Sequence, residues 1–262
     1  MNQYIDIGIN LMHRSFNADR EEVVSASAEA GVTALIITGT SVPTSETAAA
    51  YAARHDGIYS TAGVHPHDAK TGDGRTVESL RRLSRNPRVV AIGECGLDYD
   101  RDFSPRDIQR KWFEAQLQLA LEESMPLFLH ERAAFSDFKA LLSSHRDVCP
   151  RAVVHCFTGS REELRAYLNL GCFIGVTGWI CDPRRGGVLR SIVREIPSDR
   201  LMLETDGPFL LPRDLAERPR ENRNEPRFLP HIAAAVATAR AEPLERVAEA
   251  TTANARRFFG IA

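Results

Sequence analysis

The sequence predicts a single closed (β/α)8 TIM barrel, on three observations. Eight short apolar runs are spread through the 262 residues, and helical stretches separate them. Strands that alternate with helices pair in parallel, and parallel strands covered on both faces read as near-continuous apolar runs. Four of the runs also end on side chains able to ligate a metal: 89–93 on Glu94, 127–129 on His130, 153–154 on His155 and 201–203 on Glu204-Thr205-Asp206. Groups from four strand ends converge only if the strands are parallel and adjacent, which favours closure over an open, doubly wound sheet. No internal repeat or linker divides the chain, so residues 1–262 are expected to form one domain.

Residues 4–9 read as the first strand, with Asp6, Gly8 and Asn10 on one face by period two. Asp19 is placed to cap a helix over 20–30 that Gly31 closes. The run 33–38 is strand-like, 45–55 an alanine-rich helix, and 58–64 a strand leading into His65-Pro66-His67. A helix over 76–86 precedes the strand 89–93, after which 95–104 reads as a polar loop bearing Tyr99 and Phe103. An amphipathic helix spans 105–124 and the next strand 126–130. A helix over 135–145 then puts Phe135, Phe138, Leu141 and Leu142 on one face. Strands at 152–157 and 172–177 flank a helix at 161–170; the loop 178–187 carries Trp179, Arg184 and Arg185, and a helix covers 188–196. After the strand 201–203, Gly207-Pro208 opens an irregular run to 226, and a loop of about twenty residues in a compact domain is usually functional. Helices over 227–241 and 243–259 complete the chain.

Hydrophobic content of 43% and charged content of 26% are those of an ordinary soluble globular protein. A formal net charge of −2 gives no global positive field, although a local patch and a bound cation suffice for brief contact with a nucleic-acid strand. The five cysteines are scattered without a C-x-x-C pair, which argues for reduced thiols and a cytoplasmic location. No apolar run approaches the ~18 residues of a membrane span, and no basic segment leads into one, so neither membrane nor export is expected.

A charged group at the end of a buried strand is costly to dehydrate unless a cation or hydrogen bonds compensate it. Glu94, His130, His155 and Asp206 are therefore the candidate metal ligands. Each alone is more simply a hydrogen-bonded loop residue; the case rests on the four together. Mixed imidazole and carboxylate ligation suits Zn2+, Mn2+ or Fe2+, and more carboxylate and water suits Mg2+. Such an ion would activate water and bind an oxyanion. Asp206 is also a candidate general base. Glu204, on what reads as the same strand face, either orients a ligand or water or pairs with an arginine. His65 is a candidate donor to phosphate, with His67 a packed loop residue, and Arg132 and the Arg184-Arg185 pair are candidate phosphate clamps. Trp179, Tyr99 and Phe103 are candidates for stacking on bases.

The blocks DIGINL, STAGVHPHD, VVAIGECGLDYDRDFS, VVHCFTGSREE, IGVTGWICDPRRG and ETDGPFLLPRDL together resemble the TatD family of metal-dependent deoxyribonucleases over nearly the whole chain. The resemblance implies a barrel of the amidohydrolase-like type, metal ligands at Glu94, His130, His155 and Asp206, and a phosphate contact at His65. It implies removal of nucleotides from the 3′ end of single-stranded DNA, or of RNA, with Mg2+ as activator and Mn2+ or Zn2+ as alternatives. A monomer is expected. Many relatives carry a His-x-His pair where this chain has Gly8 and Asn10, which leaves any second metal position to Asn10 or Asp6. Relatives often carry tyrosine where this chain has Phe209. The rival expectation is hydrolysis of a small C–N substrate, which barrels of this type also perform.

Overall fold

The computed structural model describes residues 2–219 and 221–262. Its strands are β1 (Tyr4–Ile9), β2 (Val32–Ile37), β3 (Ile58–Ala62), β4 (Val89–Asp98), β5 (Leu127–Arg132), β6 (Ala152–Val154), β7 (Phe173–Val176) and β8 (Leu201–Leu203). They lie in one sheet in chain order, β1 to β8. The β3–β4, β4–β5, β5–β6 and β7–β8 pairs are parallel. Beyond β8, the Asp206 N–H donates to the Gly8 carbonyl at 2.8 Å and the Asn10 N–H to the Gly207 carbonyl at 2.7 Å, returning the last strand to the first. The fold is the expected (β/α)8 barrel. An open doubly wound sheet would reverse strand order at a switch point, and no reversal occurs.

The chain packs as two compact units. The first comprises Ile37–His155 and Arg165–Phe173. Its helices are α2 (Val42–Ala52), α3 (Thr76–Ser84), α4 (Arg106–Glu122) and α5 (Phe135–Ser144), with most of α6 (Arg161–Asn169). Phe113 of α4 stacks on Phe138 of α5 at 5.0 Å. Two glutamines on one face of α4, each 1% exposed, do what apolar packing cannot. Gln116 accepts from the Val64 N–H at 2.8 Å and donates to the Val64 carbonyl at 3.1 Å. Gln109 makes the same pair of bonds with Asp98, at 2.9 and 3.1 Å. Buried backbone groups at or just past the strand ends are thereby satisfied, and the chain at Val64 and Asp98 is fixed.

The second unit holds Cys156–Leu164, Ile174–Ala262 and the chain up to Ile36. Its helices are α1 (Arg20–Glu29), α7 (Gly187–Ile192), α8 (Leu229–Arg240) and α9 (Leu244–Phe259). Arg240 donates to the Val193 and Ile196 carbonyls at 2.8 and 2.7 Å, and Asn254 to those of Ser198 and Leu201, both at 2.8 Å. Arg223, 8% exposed, reaches back to Asp19 and pairs with Glu225, with its guanidinium 4.7 Å over the Phe16 ring.

Several boundaries differ from expectation for local reasons. Helix α2 starts earlier because Ser41 and Thr44 form a reciprocal capping box with Pro in the first turn. Strand β4 runs on to Asp98, where a polar loop was expected from residue 95. β6 stops at Val154, and Cys156 beyond it has φ 47°.

Candidate metal centre

The GECGLD block builds the centre by breaking its own strand register. Gly93 pairs with Phe128 and Cys95 with Leu129, so Glu94 falls between two registered pairs as a β-bulge. The Glu94 N–H turns away from β5 and donates to the Gly39 carbonyl at 2.8 Å. Gly93 (φ 134°) and Gly96 (φ 148°) make this possible; a Cβ at either would meet the carbonyl oxygen of Phe128 or His130. The glycines that read as a strand terminator instead aim a carboxylate and let the strand continue.

Three imidazoles converge on one oxygen of that carboxylate. Glu94 Oε1 lies 3.2 Å from His65 Nε2, 2.9 Å from His130 Nδ1 and 2.9 Å from His155 Nε2. His65 follows the Gln116-clamped end of β3, His130 lies on β5, and His155 comes just past β6 with its N–H on the Leu129 carbonyl at 2.9 Å. The His65 Nδ1 accepts from the His67 N–H at 3.1 Å, which leaves the proton on Nε2, facing Glu94. Burial pushes His65 down to about 4 despite the pull of Glu94, so its ring is a neutral donor. Burial alone would raise Glu94, but the imidazoles, His155 and His65 foremost, hold it well below the ordinary carboxylate range.

Asp98 is the residue that sequence reasoning missed. It is 1% exposed, with Oδ2 2.7 Å from His67 Nε2 and 3.5 Å from His130 Nε2, while Oδ1 accepts the Asp100 and Arg101 N–H groups. Burial opposes its ionisation, yet His130, His67 and the backbone donors hold it below the usual range. Its spacing of four residues from Glu94, on a strand read as ending too soon, was the available signal.

The ETDGP block belongs to the second unit and is satisfied differently. The strand ends at Leu203 and Asp206 has φ 55°, so the period-two rule that would put Glu204 and Asp206 on one face does not reach them. Glu204 is fully buried and accepts from the Cys156 N–H at 2.5 Å. Asp6, also fully buried, accepts from the Thr205 N–H at 2.9 Å, the Thr205 hydroxyl and the Gly8 N–H at 3.2 Å; burial nevertheless pushes it up to about 7. Asp206 Oδ1 accepts from Asn10 Nδ2 at 3.0 Å.

Of the proposed phosphate clamps, Arg132 reaches Asp100 at 3.2 Å, and exposed Arg184 is placed by its backbone N–H on Asp182 at 2.9 Å. Arg185 lies 4.2 Å over the Trp179 ring and bonds Asp182 at 2.8 Å. Arg106 covers the Tyr99 ring at 4.4 Å, whose hydroxyl bonds Asp137 at 2.7 Å. Phe103 is 56% exposed, edge-on to His67 at 4.8 Å.

The donor set around Glu94 fits a divalent cation. His65, Glu94 and His130 present ligand atoms within 4.8 Å of one another. Among the described residues, His130 Nε2 is buried with Asp98 Oδ2, at 3.5 Å, its nearest charged neighbour and with no closer hydrogen-bond partner. Three nitrogens crowding one carboxylate oxygen are what a cation would organise.

The family model described as TatD related DNase matches residues 5–260. The 3'-5' ssDNA/RNA exonuclease TatD of Klebsiella pneumoniae is 51% identical over 256 residues, 98% of this chain and 97% of that protein. The protein of the same name from Erwinia billingiae is 52% identical over 255 residues, 97% of this chain and 98% of that one. A TatD homologue from Escherichia coli K12 has the same fold at TM-score 0.91, 29% identical, covering 99% of this chain and 98% of that one.

Proposed function

We propose, for a chain that belongs to the TatD-related DNase family, that it hydrolyses the terminal phosphodiester bond of single-stranded DNA or RNA from the 3′ end. The observation that carries this reading is the convergence of His65, His130 and His155 on Glu94. Glu94, His130, His155 and Asp206 would hold the cation, Asp206 on the resemblance of its block alone. When bound, that ion supplies Lewis-acid polarisation of the phosphoryl group and a water acidic enough to attack it.

The chain's own groups do the rest. His65 presents a neutral N–H to a non-bridging phosphate oxygen, with its ring held by the His67 N–H. Asp206 takes the proton of the attacking water, positioned by Asn10. Arg132 and Arg184 bind phosphates along the strand, and Glu204 holds the backbone next to His155. Mg2+ is the activator inferred, with Mn2+ and Zn2+ as alternatives, in a cytoplasmic monomer; among the described residues no helix is long and apolar enough to cross a membrane.

A single strand labelled at its 5′ end tests this. The label is expected on a ladder shortening from the other end, abolished by a chelator, restored by Mg2+, and absent for Glu94→Ala and Asp206→Ala variants that remain folded. Near-normal shortening by either variant, or by chelated enzyme, overturns the assignment.

A further inference from the structure

At the end of β7, donors from three segments of the second unit meet. Cys181 closes the 3₁₀ turn Gly178–Cys181, Asp214 lies within residues 207–226, and His231 sits in the first turn of α8. One ligand atom of each lies within 4.8 Å of the others, and His231 Nε2 is 2.7 Å from Asp214 Oδ1. We propose that Cys181, Asp214 and His231 form a second cation site of the Zn2+ class, which fastens the chain at Asp214 to the turn after β7.

The donor types select the ion. Sulfur, imidazole nitrogen and one carboxylate oxygen are a zinc set, whereas Mg2+ takes oxygen ligands and leaves thiolate alone. Three protein donors leave a fourth tetrahedral position for water, so the site is open to exchange. The site shares no residue with the cluster around Glu94, and it is argued independently of the nuclease reading.

The donors are already held. Gly178 lies so close to the loop that a Cβ there would meet the Leu210 carbonyl oxygen, and Pro212 at 3.3 Å. Arg213 reaches Asp182 at 3.2 Å, so the backbone leading into Asp214 is anchored. Cys181 is 2% exposed, but the Asp214 and His231 side chains keep 47% and 35% exposure, which gives an ion a path from solvent. Burial and the Asp214 carboxylate push the thiol up to about 12. Zinc would displace that proton to solvent, and thiolate and carboxylate together balance its two positive charges. The nearby cation, Arg190, is bound through Nη1 to the Ile180 and Asp182 carbonyls at 2.6 and 2.9 Å.

Co2+ replaces Zn2+ in such sites and gives a near-ultraviolet charge-transfer band only when a thiolate binds it. The full-length protein titrated with Co2+ is expected to show that band and to lose it on adding Zn2+. Cys156, next to His155, is a further thiol that could produce it. The band should survive in Cys156→Ser and Glu94→Gln and disappear in Cys181→Ser and His231→Gln. No band at saturating Co2+, or one retained in Cys181→Ser, overturns the site. Zn2+ should also slow tryptic cleavage after Arg213 at least several-fold in wild type and Glu94→Gln but not in His231→Gln. Equal rates with and without Zn2+ would refute the fastening of the loop.

Discussion

Two regions hold buried acids, the bulge within β4 and the closure of β8 onto β1, and the groups that meet those acids differ in kind. Glu94 is met by three imidazole nitrogens on a single oxygen, each a potential ligand in its own right. Asp6 is met by main-chain N–H groups and a threonine hydroxyl, all of which donate to it, and Glu204 accepts the Cys156 N–H. A carboxylate satisfied by fixed donors has no need of a cation and serves to hold a turn. One satisfied by imidazoles can exchange those contacts for a shared metal. Burial of an acid therefore locates a site only when the identity of its partners is known.

The sharpest way to break this contrast is to neutralise one acid from each block with its shape kept. Glu94→Gln should cost on the order of a thousandfold or more in turnover, roughly 4 kcal/mol at ~1.4 per decade. Glu204→Gln keeps an oxygen to accept the Cys156 N–H and should lose less than about tenfold. Steady-state digestion of a single strand compares the two. Equal losses would mean that the partners do not sort the acids.

Asp98 sharpens the same contrast, since it combines both kinds of partner, imidazoles on Oδ2 and backbone N–H groups on Oδ1. Asp98→Asn should retain the fold and lower kcat about a hundredfold, as typical for a group that orients a metal-ligating imidazole. It should also weaken metal affinity, read by isothermal titration. Unchanged affinity with lowered kcat would instead place Asp98 on the substrate side.

The architecture was legible because strand and helix periodicities alternate without interruption, and Glu94, His130 and His155 were legible because each closes an apolar run. Asp98 was not. Gly93 and Gly96 look like terminators in one dimension, and only the carbonyls of β5 packed against them reveal a bulged strand that continues. Gln109 and Gln116 were equally hidden: on an amphipathic helix a polar residue reads as solvent-facing, and nothing in the spacing announces that its amide meets a strand's unpaired backbone. The pairing of Asp6 with Thr205 spans 199 residues and exists only once the barrel has closed.

That closing contact gives the smallest expected effect. The Asp6 carboxyl titrates near 3.8 when exposed and about 7 in the fold, raised by burial against its donors. A raised folded value means that folding favours the protonated acid: the stabilisation is complete below about 3.8 and is lost as pH rises through about 7. Between pH 5 and 8 the wild type should lose on the order of 2 kcal/mol relative to Asp6→Asn, which carries no titrating group there. Denaturant unfolding of both proteins across that range measures the difference. Parallel stability curves would mean that the Thr205 and Gly8 donors keep Asp6 ionised throughout, making it a full counterpart of Glu204 in the scaffold.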